Sequence, residues 1–136
     1  MTAGRGHRAL AHTADTIVEA WGPTLDACLE EAVTCLVEGF ADVTGARAAD
    51  EVEADLDASS PERLLEEVLE EVIYRLDVSG TVPVTVSVER GRVTFGLAPL
   101  DAVEAIGPEP KAVALSGLSC AADDEGTWRA TATIDV

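Results

Sequence analysis

Two stretches of the chain repeat apolar residues every three or four positions, a spacing typical of helices with one buried face. The first follows Thr24, a residue suited to capping a helix N-terminus, and runs to about Phe40. The second follows Ser60-Pro61, a capping residue and a proline suited to the first turn. The pattern therefore predicts two helices. Their apolar stripes are Leu25, Cys28, Leu29, Ala32, Val33, Leu36 and Phe40 in the first, and Leu64, Leu65, Val68, Leu69, Val72, Ile73 and Leu76 in the second.

The other patterned segments alternate apolar and polar residues or are rich in β-branched residues, as strands are. Glu89-Arg90-Gly91 joins two such segments and indicates a hairpin. Prolines and glycines between residues 99 and 110 indicate a loop. We predict one α+β domain over residues 1–136, with a mostly antiparallel sheet and two helices packed on one face. The predicted strands are 8–11, 16–21, 50–57, 81–88, 92–97, 111–120 and 127–135.

The balance of charges excludes one class of function. Nine basic residues stand against 26 acidic ones, giving a formal net charge of −17. Because affinity for nucleic acid depends on Lys and Arg neutralising phosphates, we expect no direct RNA binding. An acidic surface suits a basic protein partner through complementary potentials, and it also serves solubility alone.

The sequence also bears on location and redox chemistry. No run of 18 apolar residues is present and the first residues do not form a signal peptide, so we expect a cytoplasmic protein without a membrane span. Cys28, Cys35 and Cys120 match neither a disulfide framework nor a zinc spacing. Cys28 and Cys35 lie on one face of the first helix and are expected in the core, whereas a redox role for Cys120 stays open.

Two aspartates near the ends of the chain are candidates for metal binding. Asp15 stands at the edge of the second strand, and Asp135 lies on the polar face of the last strand, opposite the apolar Ile134. If those strands are neighbours, both carboxylates could meet a terminal carboxylate at Val136. Hard dications such as Ca²⁺ prefer such oxygen ligands. Solvated surface acids are the alternative interpretation of the same residues.

An ordered set of short segments, spread over nearly the whole chain, resembles the archease family. No single segment is decisive, but their order is specific. The segments are His12-Thr13-Ala14-Asp15, Thr24-Leu25-Asp26, Leu64-Leu65, Ile73-Tyr74-Arg75-Leu76-Asp77, Lys111-Ala112-Val113, Trp128-Arg129 and Ile134-Asp135-Val136.

The resemblance implies a function. Archeases are accessory proteins that activate the GTP-dependent tRNA-splicing ligase, promoting its guanylylation and multiple turnover, and they carry a Ca²⁺-type site. The resemblance places the metal ligands on Asp15, Asp135 and Val136 and makes the ligase the expected partner. It implies an activator and no catalytic residues.

The chain departs from the family pattern at one place, and two alternative functions stay open. After Lys111-Ala112-Val113 the family commonly continues Thr-Tyr-His, whereas this chain has Ala114-Leu115-Ser116. One alternative is a small metal-dependent hydrolase that uses His12 as base and Asp15 as metal ligand. The other is an acidic protein-binding module without a metal.

Overall fold

The protein is described by a computed structural model that covers residues 4–12 and 15–136, except for the side chains of residues 11 and 12. All strand pairs in these ranges are antiparallel, so the predicted α+β class is confirmed. Neither helix in these ranges is long and apolar enough to cross a membrane. The elements in order are β1 (Gly6–His12), β2 (Asp15–Gly22), α1 (Leu25–Glu38), β3 (Ala41–Asp42), β4 (Asp50–Asp55), α2 (Pro61–Ser79), β5 (Thr81–Glu89), β6 (Arg92–Pro99), β7 (Glu104–Ala105), β8 (Ala112–Val113), β9 (Ser119–Ala122) and β10 (Trp128–Asp135).

Both helices begin where their capping residues predict. The hydroxyl of Thr24 accepts a hydrogen bond from the backbone N–H of Ala27 at 3.1 Å, and that of Ser60 accepts one from Arg63 at 3.0 Å. Each bond satisfies a backbone donor that has no partner within the helix. α2 ends at Gly80, whose φ of 62° closes the last turn in the left-handed region that glycine tolerates.

The larger sheet has five strands and carries the candidate site. Its order is β1-β2-β10, and both β8 and β9 pair with the far edge of β10. On β10, Ala130, Ala132 and Ile134 are buried while Arg129 and Asp135 are exposed, as the alternation predicts. α1 packs against β1, β2 and β10 of this sheet. The opposite face of β10, which carries Asp135, is the polar one.

A second sheet has the order β4-β6-β5. The predicted hairpin between β5 and β6 is confirmed. Its two turn residues, Arg90 and Gly91, have φ values of 48° and 82°, as in the tight turns whose twist matches paired strands. α1 also packs against β5, so the helices contact strands of both sheets.

The structure corrects two details of the predicted strands. The predicted strand 111–120 is wrong as a continuous element, because a turn at Ser116-Gly117, with φ of 79° at the glycine, separates β8 from β9. The predicted loop 99–110 contains β7, which pairs with β3. A strand of two residues is too short to leave an alternating pattern in the sequence.

One hydrophobic core extends through the described part of the chain and includes all three cysteines. The predicted burial of Cys28 and Cys35 is confirmed. Burial raises the pKa of Cys35 to about 12, and a hydrogen bond with Cys28 together with burial raises the pKa of Cys120. Because the thiolate is the reactive form, the buried thiol of Cys120 is poorly suited to redox chemistry.

Candidate metal site

The pairing of β2 with β10 places Asp15 directly opposite Asp135. Residues in that relation have Cβ atoms about 4.5–5.5 Å apart. Asp135 is exposed and Asp15 is half-buried, and both lie on the polar side of the sheet. Two carboxylates separated by 120 positions in the sequence therefore converge at one point.

The electrostatics of this pair favour a cation. Like charges directly opposite each other on a sheet are destabilising. Within the described ranges, neither Asp15 nor Asp135 takes part in a salt bridge, although most of the arginines do. A bound dication would offset this repulsion.

Val136 follows Asp135 directly and is held in place by packing. Its side chain is partly buried against the core and lines a small cavity with Thr16, Cys35 and Ile134. The backbone N–H of Lys111 donates to the carbonyl of Asp135 at 2.8 Å, which pins the neighbouring main chain. Val136, the third predicted ligand, thus directly follows Asp135 on a main chain that is held in place, and its binding of a metal stays a prediction.

The donor set fits a hard dication that keeps part of its hydration. In residues 4–12 and 15–136, no group of three or more His, Cys, Asp or Glu side chains is arranged to hold a metal. The paired positions Asp15 and Asp135 carry two carboxylates, whereas Ca²⁺ takes six to eight oxygens. Water or oxygen atoms of a partner would complete the coordination.

His12 is the general base in the alternative hydrolase hypothesis, and the structure describes its backbone only. β1 pairs with β2 so that the backbone of His12 lies opposite Asp15. The side chain of His12 and residues Thr13 and Ala14 lie outside the described part of the chain. The pairing of His12 with Asp15 fits a histidine that supports the metal ligand, and it also fits a histidine that acts as a general base.

The segment that departs from the family pattern lies close to the site. The N–H of Ala114 donates to the carbonyl of Thr133 at 2.9 Å, two residues before Asp135 on the same strand. Leu115 is 73% exposed, and Ser116 forms the turn with Gly117. An exposed aliphatic side chain therefore occupies the position at which the resemblance leads us to expect tyrosine.

Residues Glu66, Glu67, Glu70 and Glu71 form a glutamate face on α2, and the helix's own arginines pair with three of them. Arg63 contacts Glu66 at 2.7 Å and Glu67 at 3.0 Å, and Arg75 contacts Glu71 at 2.7 Å. This pairing supports a solvated helix face. Asp77 and Glu109 line a separate cleft beside Val136, which the sequence pattern does not reveal.

The fold and the carboxylate pair together define a small α+β protein with a candidate dication site where its second and last strands meet. Residues 7–136 match the model of the archease protein family. The chain belongs to this family.

Relatives and solved structures agree with that assignment. The chain is 42% identical over 135 residues to a probable protein archease of Mycobacterium tuberculosis, covering 96% of this chain and 75% of the relative. A crystal structure from Thermotoga maritima, described as an archease and possible chaperone, matches with a TM-score of 0.68 at 21% identity over 93% of this chain and 94% of that one. A solution structure of a Methanobacterium thermoautotrophicum protein matches with a TM-score of 0.72 at 23% identity over 96% and 99%. These two structures share the fold.

Proposed function

We propose that this protein activates a GTP-dependent tRNA-splicing RNA ligase, promoting its guanylylation and multiple turnover. In this proposal the protein binds a dication, most favourably Ca²⁺, through Asp15, Asp135 and the main-chain oxygen of Val136. The observation that carries the proposal is the direct pairing of Asp15 with Asp135. Membership of the archease family supports the accessory role.

The exposure of the site suits a shared metal. Asp135 is exposed and Asp15 only half-buried, so a dication there would keep positions open to water. Phosphate or carboxylate oxygens of a partner can replace those waters. The proposed role is therefore to present a partly coordinated cation to the ligase during nucleotide loading.

In this proposal the chain binds and positions, and the ligase performs the chemistry. No residue is assigned as a catalyst, and the Thermotoga maritima protein with the same fold is likewise described as a possible chaperone. A cytoplasmic location belongs to the proposal because the partner acts on tRNA. The acidic surface suits a nucleic-acid enzyme that carries basic regions.

The test combines the purified protein with its cognate ligase, GTP and Ca²⁺, and measures the covalent ligase–GMP adduct and the RNA joined per ligase. We expect the wild type to raise both quantities. Asp15→Asn and Asp135→Asn keep the side-chain shape but remove charge, and each should weaken Ca²⁺ affinity and stimulation by about tenfold or more. Asp124→Asn, an exposed residue beyond the opposite end of β10, is the matched control and should behave as wild type.

Two results would contradict the proposal. Absence of stimulation by the wild type would remove the ligase role, and unchanged Ca²⁺ affinity in both aspartate variants would remove the metal site. Phosphoester hydrolysis by the isolated protein, lost in Asp15→Asn, would favour the hydrolase instead. Stimulation that is independent of metal would favour the acidic binding module.

A further inference from the structure

A cleft opens beside Val136, between the second half of α2 and the loop of residues 107–111. Ile73 and Asp77 of the helix form one wall, and Pro108 and Glu109 of the loop form the other. We name this feature the α2 cleft. It adjoins the residue that follows Asp135, so an occupant of the cleft would lie next to the candidate metal site.

The loop wall of the α2 cleft is held rigidly. The N–H of Ile106 donates to the carbonyl of Phe40 at 3.0 Å, and a Cβ at Gly107 would lie 2.2 Å from the carbonyl oxygen of Gly39. Only glycine fits so close to that backbone. Pro110 is buried, and the N–H of Lys111 donates to Asp135 at 2.8 Å. The cleft is therefore preformed, which lowers the entropic cost of filling it.

The lining of the α2 cleft carries two carboxylates, Asp77 and Glu109, against one cation, Lys111. Asp77 lies near the C-terminus of α2, where the helix dipole is negative, and no basic residue occupies the last turn. Asp77 and Glu109 are exposed, and neither forms a salt bridge among the described residues. On the same helix, by contrast, Glu66, Glu67 and Glu71 form salt bridges with Arg63 or Arg75. Local conflicts of this kind are expected at functional sites.

The apolar part of the cleft indicates which kind of cation fits. Ile73 and Pro108 line it, and the exposed side chains of Val78 and Ile106 follow Asp77 and precede Gly107 in the sequence. A metal ion gains nothing from such surfaces. Lysine and arginine side chains do, because their aliphatic stems pack on apolar groups while their charged ends reach carboxylates.

We propose that the α2 cleft receives a lysine- or arginine-bearing segment of the partner ligase. This inference rests on the proposed function and adds where the partner docks. The cationic end of that segment pairs with Asp77 and Glu109, and its stem packs on Ile73 and Pro108. Because Val136 lines the cleft and directly follows Asp135, a segment docked there would lie next to the candidate metal site.

The test compares two double variants that remove the same charge. Asp77→Asn with Glu109→Gln changes the cleft, and Asp124→Asn with Glu125→Gln changes exposed acids in the turn before β10. Ligase affinity is measured by calorimetry at several salt concentrations with saturating Ca²⁺, and the Ca²⁺ affinity of each isolated protein is measured separately. We expect the cleft variant to bind ligase about tenfold or more weakly, with a shallower salt dependence. The control variant should stay within about twofold of wild type, and both should bind Ca²⁺ as wild type does.

Each other outcome overturns the inference in a distinguishable way. Equal losses in the two double variants would show a general effect of net charge. Wild-type ligase affinity in the cleft variant would remove the cleft from the interface and leave the proposed function standing. Reduced Ca²⁺ affinity in the cleft variant would show that its carboxylates act on the metal. A wild type that does not bind the ligase at all would overturn the proposed function and this inference with it.

Discussion

At the scale of single residues, the central feature is a like-charge pair that the fold itself does not need. Asp15 and Asp135 face each other across two neighbouring strands, and no described residue forms a salt bridge with either. Opposite like charges cost stability in a sheet. In the proposed function, a bound dication would remove this repulsion, and the relief would add to the binding free energy of the metal.

The repulsion leads to a prediction for stability without metal. In a chelator, Asp15→Asn should leave the free energy of unfolding unchanged or raise it by up to about 1 kcal/mol, because one of two opposed charges is removed. Adding Ca²⁺ should stabilise the wild type and leave the variant unchanged. Urea unfolding with and without Ca²⁺ measures both effects. A variant much less stable than wild type in chelator would show that the carboxylate supports the fold directly.

At the scale of elements, hydrogen bonds between charged side chains link β1 to α1. Nδ1 of His7 lies 2.6 Å from a carboxylate oxygen of Glu31, and Nε2 lies 2.6 Å from one of Glu38. Both ring nitrogens therefore face acceptors, an arrangement that suits the doubly protonated imidazolium. Burial opposes protonation of His7, but the hydrogen bonds and charges of Glu31 and Glu38 outweigh it and raise its pKa. Burial alone would raise the pKa of Glu31, but the hydrogen bonds and charges of His7 and Arg5 outweigh burial and lower that pKa.

The stability that this contact contributes should depend on pH. The raised pKa of His7 means that its contribution is complete below the ordinary value of 6.5 and is lost as pH rises through the folded-state pKa. The lowered pKa of Glu31 means that its contribution is present above 4.5 and is lost as pH falls through the folded-state pKa. His7→Gln should therefore cost more stability at about pH 5.5 than at about pH 9. Because Glu38 is 58% exposed, we expect a difference of no more than about 1 kcal/mol.

Urea unfolding of His7→Gln at the two pH values provides the measurement. Arg8→Gln is the control, because Arg8 is the next residue along β1 and pairs with Glu19 on β2. The loss of stability in Arg8→Gln should be the same at both pH values, because no imidazole takes part in the contact that it removes. An equal cost of His7→Gln at both pH values would show that the ring contributes only through packing.

At the scale of the whole molecule, the acidic surface is broken only by scattered cations. Arg5, Arg8, Arg63, Arg75 and Arg129 each contact acidic side chains in the described part of the chain. The chain's one lysine, Lys111, lines the α2 cleft. With a net charge of −17, the cations of the described residues form no basic face that could bind along a phosphate backbone.

This distribution predicts opposite results for RNA and for the ligase. Isolated tRNA should show negligible affinity at physiological salt, because few counterions would be released. Association with the ligase should slow as salt rises, because screening weakens the attraction between complementary surfaces. Stopped-flow association over a range of salt concentrations tests the second expectation, and a filter-binding titration tests the first. Micromolar tRNA binding with a steep salt dependence would refute the charge argument.

Much of the fold could be predicted from the sequence because its signals are local. Thr24 and Ser60 mark the starts of both helices through hydrogen bonds within three residues. The repeat of the apolar positions identifies the buried helix stripes, and alternation identifies the inward side of β10. Such features depend on a helix turn or a strand pleat, which a short segment contains completely.

Only the tertiary structure decided the rest, because it depends on which distant segments pair. Periodicity does not specify that β2 lies beside β10, yet that register brings Asp15 to Asp135. The two-residue strands β3, β7 and β8 exist only because a partner strand is present, and the cleft between Asp77 and Glu109 requires α2 and the loop 107–111 to meet. The sequence thus determined the helices, the faces of the strands and the acidic character of the protein. The packing of the chain determined where its carboxylates converge, since that follows from contacts between residues far apart in sequence.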